Sequence, residues 1–364
     1  MASSSPRSRS VRRSLIRLHR WLGVGAALIW MIQALTGLMM TFHFEAEDAL
    51  ASVTHRPTDP AAIERRMDAF ADAGGDAAVN WIWTTAGLPD RYLIDYAAAD
   101  GSSHRARIDG AGNVIEDRGA GDSAFFPLLL EIHQTLAAGT VGHWVLAASG
   151  LLLVTNLAFG LAVAWPGRGR WREALVPTNR GNPSVRLYSW HRAVGMWAVI
   201  PGMLIAGTGT LMLFENELRA VLGVPEVALP ANPAKGDPVG FAAASQAAAA
   251  AIPGSRFVGT TLPSAGDASY YAWVRAPGEL YRGGYGGSLV VVDANDGSIR
   301  GAWPAGEAKP AARFVGSLYP LHTGEAGGLI GRILCFFVGL WLVTMTVAGV
   351  LLWLRRRPVR KRAA

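Results

Sequence analysis

The stretch L-H-R-W-L-G at residues 18–23, with T-G following at 36–37, is repeated later in this 364-residue chain. Its counterpart is W-H-R-A-V-G at residues 190–195, with T-G following at 208–209. Every shared position is displaced by the same distance along the chain, that from His19 to His191, which we call the first offset. Self-similarity at a fixed offset is typical of an internal repeat, so we predict that the chain contains two copies of one unit.

A second set of matches completes this unit. I-H at residues 132–133 corresponds to L-H at 321–322, and Gly142 corresponds to Gly331 with the same displacement. This displacement, that from His133 to His322, is the second offset. It is larger than the first, which indicates that the intervening segment is longer in the second copy. We therefore predict a duplicated unit of membrane span, outer domain and membrane span.

Composition supports a membrane protein. Hydrophobic residues make up 51% of the chain and charged residues only 17%, which excludes a disordered protein. The single cysteine, Cys335, excludes a disulfide-built scaffold. A membrane-spanning helix needs about 20 residues, and four stretches without Asp, Glu, Lys or Arg are at least that long. These stretches cover residues 21–44, 132–167, 193–214 and 333–354.

The basic residues predict the orientation, because segments rich in Lys and Arg stay in the cytoplasm. Of the 34 basic residues, 18 lie in the N-terminal segment, the short central connection and the C-terminal tail, where Glu173 is the only acid. Both termini are therefore predicted to be cytoplasmic, and the two long connections are predicted to face outward. The net charge of +7 then reports topology and contact with the lipid bilayer, and nucleic acid is excluded as a partner.

These observations predict an α-helical polytopic membrane protein with four transmembrane helices, an internal duplication and two α+β outer domains. A cleaved signal peptide is the alternative for the first span, but its apolar stretch is longer than such a peptide requires. The predicted segments are a basic cytoplasmic N-terminus at 1–20, TM1 at 21–44, outer domain 1 at 45–131, an interfacial helix with TM2 at 132–167, a cytoplasmic loop at 168–192, TM3 at 193–214, outer domain 2 at 215–321, an interfacial segment with TM4 at 322–354, and a basic cytoplasmic tail at 355–364.

Each outer domain is predicted to contain a helix followed by strands and a hairpin. The helices and strands are expected at 60–73, 79–85 and 91–96 in the first domain, with a hairpin near 109–112, and at 238–252, 256–262, 269–275 and 288–299 in the second. Aromatic residues in these strands are more typical of a core than of a binding site, so we assign no site to them. They include Trp81, Trp83, Tyr270 and Tyr271.

Four histidines lie at equivalent positions of the two copies. His19 and His191 mark the cytoplasmic ends of their spans, and His133 and His322 mark the outer ends. Repeats in a membrane are often related by an axis along the bilayer normal, which places equivalent residues opposite each other. Two facing imidazoles are a ligand set for haem iron, whereas zinc or copper would require further ligands. We predict two haems, one held by each pair.

Residues beside the first pair agree with this prediction. Arg20 and Arg192 directly follow the histidines, where a guanidinium can bind a haem propionate, although anchoring at the cytoplasmic surface is the alternative for them. Gly23 and Gly195, one turn further along, would let a flat ring approach. The first pair therefore combines two histidine ligands, positive charges that could bind propionates, and glycines that leave room for a flat ring.

The remaining histidines are not symmetric. The counterpart of His43 is Glu215 and that of His143 is Arg332. Both histidines are candidates for an additional outer haem or for substrate contacts, with an ordinary interfacial role as the alternative. His55 and His104 are expected to be solvated.

The motifs quoted above, together with W-P-G-R at 165–168 and W-L-R-R-R at 353–357, resemble the PepSY-associated transmembrane family over residues 11–358. Members of this family that act as bacterial inner-membrane ferric-siderophore reductases are similar in layout. They have four spans, two PepSY-like periplasmic domains and b-type haems held by histidines of the spans. The resemblance implies electron transfer from a cytoplasmic or quinol donor to a ferric siderophore in the periplasm, followed by release of Fe(II). His143, in the place of an arginine, departs from the family pattern.

Two other functions stay open at this point. The outer domains could bind peptides or restrain a protease, with the spans acting only as anchors and no redox activity. Alternatively, the haems could serve another acceptor. Histidines that match at two depths favour the redox function, because an anchor does not require them. We find no nucleotide-binding glycine motif in the cytoplasmic segments.

Overall fold

A computed structural model describes residues 6–51, 54–85, 88–119, 122, 125–225, 227–264, 266–280 and 287–355. Its long apolar helices form a bundle, and the strands and the shorter helices beside them form a separate sheet domain. The helices are α1 (Pro6–Gly25), α2 (Ala27–Met40), α3 (His43–Ala51), α4 (Pro60–Ala71), α5 (Phe125–Thr135), α6 (Gly139–Ala164), α7 (Trp171–Leu175), α8 (Pro183–Met212), α9 (Glu215–Leu222), α10 (Phe241–Ala251), α11 (Pro310–His322) and α12 (Gly328–Leu354). Two 3₁₀ turns lie at Ala305–Glu307 and Glu325–Gly327.

Three of these helices are long and apolar enough to cross a membrane without a break. They span Gly139–Ala164, Pro183–Met212 and Glu325–Leu354. The predicted first span is instead a pair of helices, α1 and α2, which meet at an angle of 64°. Gly25 ends α1 at this bend, and glycine is a residue that commonly permits a sharp change of helix direction. The prediction of one straight helix over 21–44 missed this bend.

The helices also extend past the charge-free stretches. α8 begins at Pro183, where the Asn182 side chain accepts a hydrogen bond from the Val185 N–H at 3.0 Å. Arginine is a good helix former, so Arg186 and Arg192 do not end the helix although they end the apolar stretch. As a result His19 and His191 lie inside helices rather than in the polar segments assigned from charge.

The described residues form eight strands, which make one continuous antiparallel sheet. They are β1 (Ala78–Thr85), β2 (Leu88–Ala97), β3 (Ser103–Asp109), β4 (Val114–Gly119), β5 (Arg256–Thr261), β6 (Ser269–Arg275), β7 (Ser288–Asp293) and β8 (Ile299–Trp303). The order across the sheet is β4-β3-β2-β1-β5-β6-β7-β8. One helix followed by four strands occurs in each half, as expected, but the halves join through β1 and β5 rather than forming separate sheets. α4 and α10 contact each other and cover the sheet with a core that includes Ile63, Ile82, Ile94 and Phe241.

The junction of the two halves depends on a glycine. Gly259 of β5 pairs with Trp83 of β1, and a Cβ at residue 259 would overlap the Trp83 ring and the Ile82 carbonyl. We expect Gly259→Ala to lower the stability of the sheet domain by about 1–3 kcal/mol, as overpacked sites do. Thermal unfolding measures this loss. Gly306→Ala is the matched control, because a Cβ there meets nothing within 4 Å. Equal melting of both variants would contradict the role of Gly259.

Buried ion pairs fasten α3 to the sheet. Asp48 of α3 accepts hydrogen bonds from Arg91 Nε of β2 at 3.0 Å and from Arg107 Nη1 of β3 at 3.1 Å. The Arg91 side chain is fully buried. Burial also raises the pKa of the neighbouring Glu47, although Arg107 and Arg118 act in the opposite direction. The chain that leaves the apolar bundle at α3 is therefore tied to two strands by charge.

Candidate functional site

His19 and His191 come together as the sequence predicted. His19 lies on α1 and His191 on α8, with their ring centres 6.4 Å apart and their ring planes inclined by 59°. We call these two residues the first pair. They line a cavity of about 390 Å³, a volume within the range of cofactor pockets, roughly 300–1,000 Å³. The four residues predicted beside them also line this cavity, namely Arg20, Gly23, Arg192 and Gly195.

His133 and His322, the second pair, also come together. They lie on α5 and α11, with ring centres 6.1 Å apart and ring planes inclined by 33°. Both helices lead directly into the long helices α6 and α12. The two predicted histidine pairs therefore exist as contacts between different helices.

The pairs stand at different levels along the bundle. α8 contributes His191 to the first pair, and its Ile205 carbonyl accepts a hydrogen bond from the His322 ring at 2.9 Å. His191 and Ile205 are 14 positions apart in α8, which corresponds to about 21 Å along a helix at 1.5 Å per residue. This separation is a large part of the roughly 30 Å hydrocarbon thickness of a bilayer.

Three of the four histidines have a hydrogen-bond partner at Nδ1. His19 Nδ1 lies 3.0 Å from the Asn156 carbonyl, and His322 Nδ1 lies 2.9 Å from the Ile205 carbonyl. His133 Nδ1 lies 2.9 Å from the Thr36 hydroxyl. His191 Nδ1 is buried without a hydrogen-bond partner among the described residues. In these three rings Nε2 is therefore the nitrogen that is left free to bind a metal.

The first cavity collects buried polar atoms that lack partners. Besides His191 Nδ1, both Arg20 Nε and Asn156 Oδ1 are buried without a hydrogen bond from any described residue, and both residues line the cavity. Native proteins pair nearly all of their buried polar groups, so such a concentration indicates a bound group or ordered water.

Positive charge surrounds the same cavity. Arg12, Arg20 and Arg192 all line it, and no ion pair joins them to an acid in the described part of the chain. Arg12 and Arg192 donate to the Val163 and Ala164 carbonyls at 3.4 and 3.3 Å. Sequence reasoning missed Arg12, although it lies seven residues before His19 and therefore on the same side of α1. These guanidiniums fit carboxylate groups of a ligand.

The spacing of each pair fits two imidazoles that bind one metal ion. A histidine nitrogen binds a first-row metal at about 2 Å, and it lies about 1 Å from its ring centre, so opposed rings have centres roughly 6 Å apart. The observed 6.4 and 6.1 Å match this distance. Among the described residues no group of three or more His, Cys, Asp or Glu is arranged so that it could hold a metal ion.

His43 and His143 have other neighbours. His43 Nδ1 lies 2.7 Å from the Met40 carbonyl, and its ring contacts Phe44 with centres 3.9 Å apart. His143 makes an edge contact with Trp144, with centres 5.4 Å apart. α5 ends at Thr135 and α6 begins at Gly139, so His133 and His143 lie on different helices. The contacts of these two histidines are those of interfacial residues, and their role as ligands stays a prediction.

The aromatic residues of the sheet have structural contacts. Trp83 packs on Trp273 with ring centres 5.0 Å apart, and Arg105 lies over the Trp81 ring. Tyr270 is buried and donates to the Val239 carbonyl at 2.7 Å, while Tyr271 donates to Asp267. These contacts agree with leaving them out of the site.

Comparison with known protein families identifies the type of chain. The family model described as the PepSY-associated TM region matches residues 16–356, which is nearly the whole chain. The chain belongs to this family. The matched part of this PepSY-associated protein contains both histidine pairs and the three unbroken apolar helices described above. Apolar helices and family membership together make it a multi-pass membrane protein in contact with the lipid bilayer. No curated protein matches the chain.

Proposed function

We propose that this PepSY-associated protein is an inner-membrane di-haem electron-transfer protein that reduces a ferric siderophore in the periplasm. The observation that supports the proposal most directly is the spacing of the two histidine pairs, whose ring centres lie 6.4 and 6.1 Å apart. His19 and His191 would hold one b-type haem, and His133 and His322 the other. When bound, haem with two histidine ligands supplies one-electron transfer at the iron.

The chain's own residues have distinct roles in this proposal. The histidines would hold each cofactor through a ring nitrogen. Arg12, Arg20 and Arg192, which line the first cavity, would bind the propionates by charge-assisted hydrogen bonds. Buried apolar side chains such as Leu153, Val199 and Trp341 exclude water from the rest of the first cavity.

Two levels of histidine pairs suit transfer across a membrane. In this proposal the basic end of the helix bundle faces the cytoplasm, because segments rich in arginine near the ends of membrane helices stay on that side. With haem bound at both pairs, the first pair would hold the haem that receives an electron from a quinol or a separate reductase, and the second pair would hold the haem that faces the acceptor. The levels are about 21 Å apart, so they divide the roughly 30 Å hydrocarbon layer. Both α3 and α11 connect the second level to the sheet domain, so in this proposal the acceptor would dock on the periplasmic side.

The reaction at the acceptor releases iron without destroying its chelator. One electron converts Fe(III), which hard oxygen donors bind tightly, into Fe(II), which the same donors bind weakly. No bond in the chelator breaks. We propose that the ferric siderophore docks where the sheet domain faces the membrane, close to the second pair.

The test is the haem content and visible spectrum of the detergent-purified protein. We expect about two haems per chain in a pyridine haemochrome assay. His19→Ala and His191→Ala should each remove the same haem, and His133→Ala and His322→Ala should each remove the other. His104→Ala, at a half-buried residue of the sheet that contacts Asp117, should leave both haems in place. The dithionite-reduced protein should be reoxidised by a ferric trihydroxamate chelate.

Three results would contradict parts of this proposal. A colourless protein from haem-replete cells would favour a membrane-anchored, PepSY-like binding or regulatory protein without redox activity. Unchanged spectra in all four histidine variants would refute the ligand assignment. A haem protein that the ferric chelate does not reoxidise would serve a different acceptor.

A further inference from the structure

Each of the four paired histidines packs against a glycine on a neighbouring helix. A Cβ built on Gly209 would lie 2.5 Å from His322 Cε1, and one built on Gly37 would lie 2.9 Å from His133 Cε1. For Gly160 and His19 the distance is 3.0 Å, and for Gly349 and His191 it is 3.6 Å. Real Cβ atoms essentially never approach another atom within 3.0 Å, so a larger residue at position 209 or 37 would require the imidazole to shift, and one at position 160 would require a smaller adjustment.

The four glycines occupy matching positions in the two halves. Gly37 and Gly209 are related by the first offset, and Gly160 and Gly349 by the second. A histidine pair with one offset therefore rests on a glycine pair with the other. Gly23 and Gly195, which sequence reasoning selected, line the cavity but face Asn156 and Met345 instead.

The hydrogen bond of each ring depends on the same helix surface. His19 bonds the carbonyl of Asn156, four residues before Gly160, and His322 bonds the carbonyl of Ile205, four residues before Gly209. In a helix, side chains point back over the preceding turn, so a side chain at the later residue covers the carbonyl of the earlier one. Glycine leaves that carbonyl open to a second hydrogen bond from the imidazole.

The third ring uses a hydroxyl in the same place. Thr36, directly before Gly37, donates its hydroxyl proton to the Ile32 carbonyl at 2.8 Å. With that proton on the carbonyl, the hydroxyl oxygen is free to accept from His133 Nδ1–H, and Nδ1 lies 2.9 Å away. Although the partner is different, the ring again lies beside a glycine with an acceptor available at Nδ1.

We propose that Gly37, Gly160 and Gly209 are positioning residues that hold His133, His19 and His322 with the proton on Nδ1 and with Nε2 free to bind iron. The inference rests on the proposed haem function for its purpose, and on the contacts above for its geometry. A metal-bound histidine normally donates its other N–H to an acceptor that fixes the tautomer and orients the ring. Gly349 is the open counterpart, because its histidine is farther away and has no partner at Nδ1 among the described residues.

The test compares Gly209→Ala with Gly207→Ala on the same helix. A Cβ at residue 207 meets nothing within 4 Å, so the control has the same change in helix propensity without the contact. Histidine ¹⁵N NMR of the haem-free protein reports which ring nitrogen carries the proton. We expect the Nδ1–H form for His322 in the wild type and in Gly207→Ala, and its loss in Gly209→Ala.

The second readout is haem retention, measured as transfer of haem to an apoglobin. Changes to residues that orient metal ligands typically weaken binding about 10- to 100-fold, and we expect that effect for Gly209→Ala at the second haem alone. Gly160→Ala should have a smaller effect at the first haem, and Gly349→Ala should retain both haems as the wild type does. This graded series follows the distances and also covers the case in which Gly209→Ala does not fold.

The outcomes separate this inference from the proposed function. A wild-type protein without haem, but with Nδ1–H in the three rings, would overturn the function and leave the positioning role standing. A haem-loaded protein in which Gly209→Ala keeps both the Nδ1–H form and its haem would overturn the positioning role. Equal weakening by Gly349→Ala and Gly209→Ala would overturn it as well.

Discussion

Asp48→Ala is expected to lower the melting temperature of the sheet domain by on the order of 10 °C, a value that follows from the cost of an unpaired buried charge. The substitution leaves the fully buried Arg91 and the nearly buried Arg107 without their shared carboxylate. Removing one partner of a buried ion pair typically costs about 3–5 kcal/mol, because the remaining charge stays in a poorly solvated place. In a domain of this size 1 kcal/mol corresponds to roughly 2–4 °C. The effect is measured by thermal unfolding, with the susceptibility of the sheet domain to proteolysis at each temperature as the readout.

The matched control for Asp48 is on the same strand as one of its partners. Arg105 lies two residues before Arg107 and pairs with Asp95 at 3.5 Å, but its side chain is 56% exposed. Exposed pairs contribute about 0–1 kcal/mol, so Arg105→Ala should melt close to the wild type. If Asp48→Ala melts at the temperature of Arg105→Ala, α3 is not fastened to the sheet by these charges.

Glu45→Ala is expected to loosen the helix bundle next to the second histidine pair. Arg332 of α12 is buried, with Nη2 2.8 Å from Glu45 Oε2 and 2.6 Å from the Thr41 carbonyl. Its guanidinium also lies over the Phe42 ring at 4.6 Å. Loss of the carboxylate should cost about 3 kcal/mol, the lower end of the range for buried pairs, because the Glu45 side chain is 32% exposed.

The amount of monomer that survives heating in detergent measures this loss. Glu215→Ala is the control, since it removes an exposed pair with Arg219, at 2.9 Å, from the corresponding part of the other half. We expect the control to survive heating as well as the wild type does. The survival of Glu45→Gln should lie between that of the wild type and that of Glu45→Ala. Identical survival of Glu45→Ala and Glu215→Ala would show that Arg332 does not depend on its carboxylate.

This ion pair also clarifies the departure of His143 from the family pattern. The residues that correspond to Arg332 and Glu45 in the other half are His143 and Glu217. In the described part of the chain no hydrogen bond or ion pair joins them, and His143 instead contacts Trp144. The two halves are therefore fastened differently at the level of the second histidine pair. The sequence shows that the residues differ, but not which helix each one reaches.

Local features of the chain were predictable. Hydropathy located the apolar helices, because a lipid-exposed helix needs a long run of apolar residues wherever its neighbours lie. Alternating patterns located the strands of both halves, and Pro60 and Asp59 mark the start of α4 as a first-turn proline and a cap. The 64° bend was not predictable from hydropathy, since the apolar run continues through Gly25 without interruption.

The histidine pairs were predictable for a different reason. Equal offsets identified which residues correspond, and correspondence across an axis implies proximity. The glycines against which they rest were missed, although Gly160 and Gly349 are related by the same offset as the second histidine pair. The offset identifies equivalent glycines but not their contacts, because those depend on how α6 and α12 lie against α1 and α8.

The amino-acid sequence by itself determined the apolar segments, the order of helix and strands in each half and the four equivalent histidines. Hydropathy, periodicity and repeat offsets depend only on the order of residues along the chain. Tertiary structure alone decided that β1 and β5 join the halves into one sheet, that Asp48 reaches two arginines, and that each imidazole rests on a glycine. Such contacts bring together residues that are far apart along the chain, and they depend on the packing angle and register of whole elements.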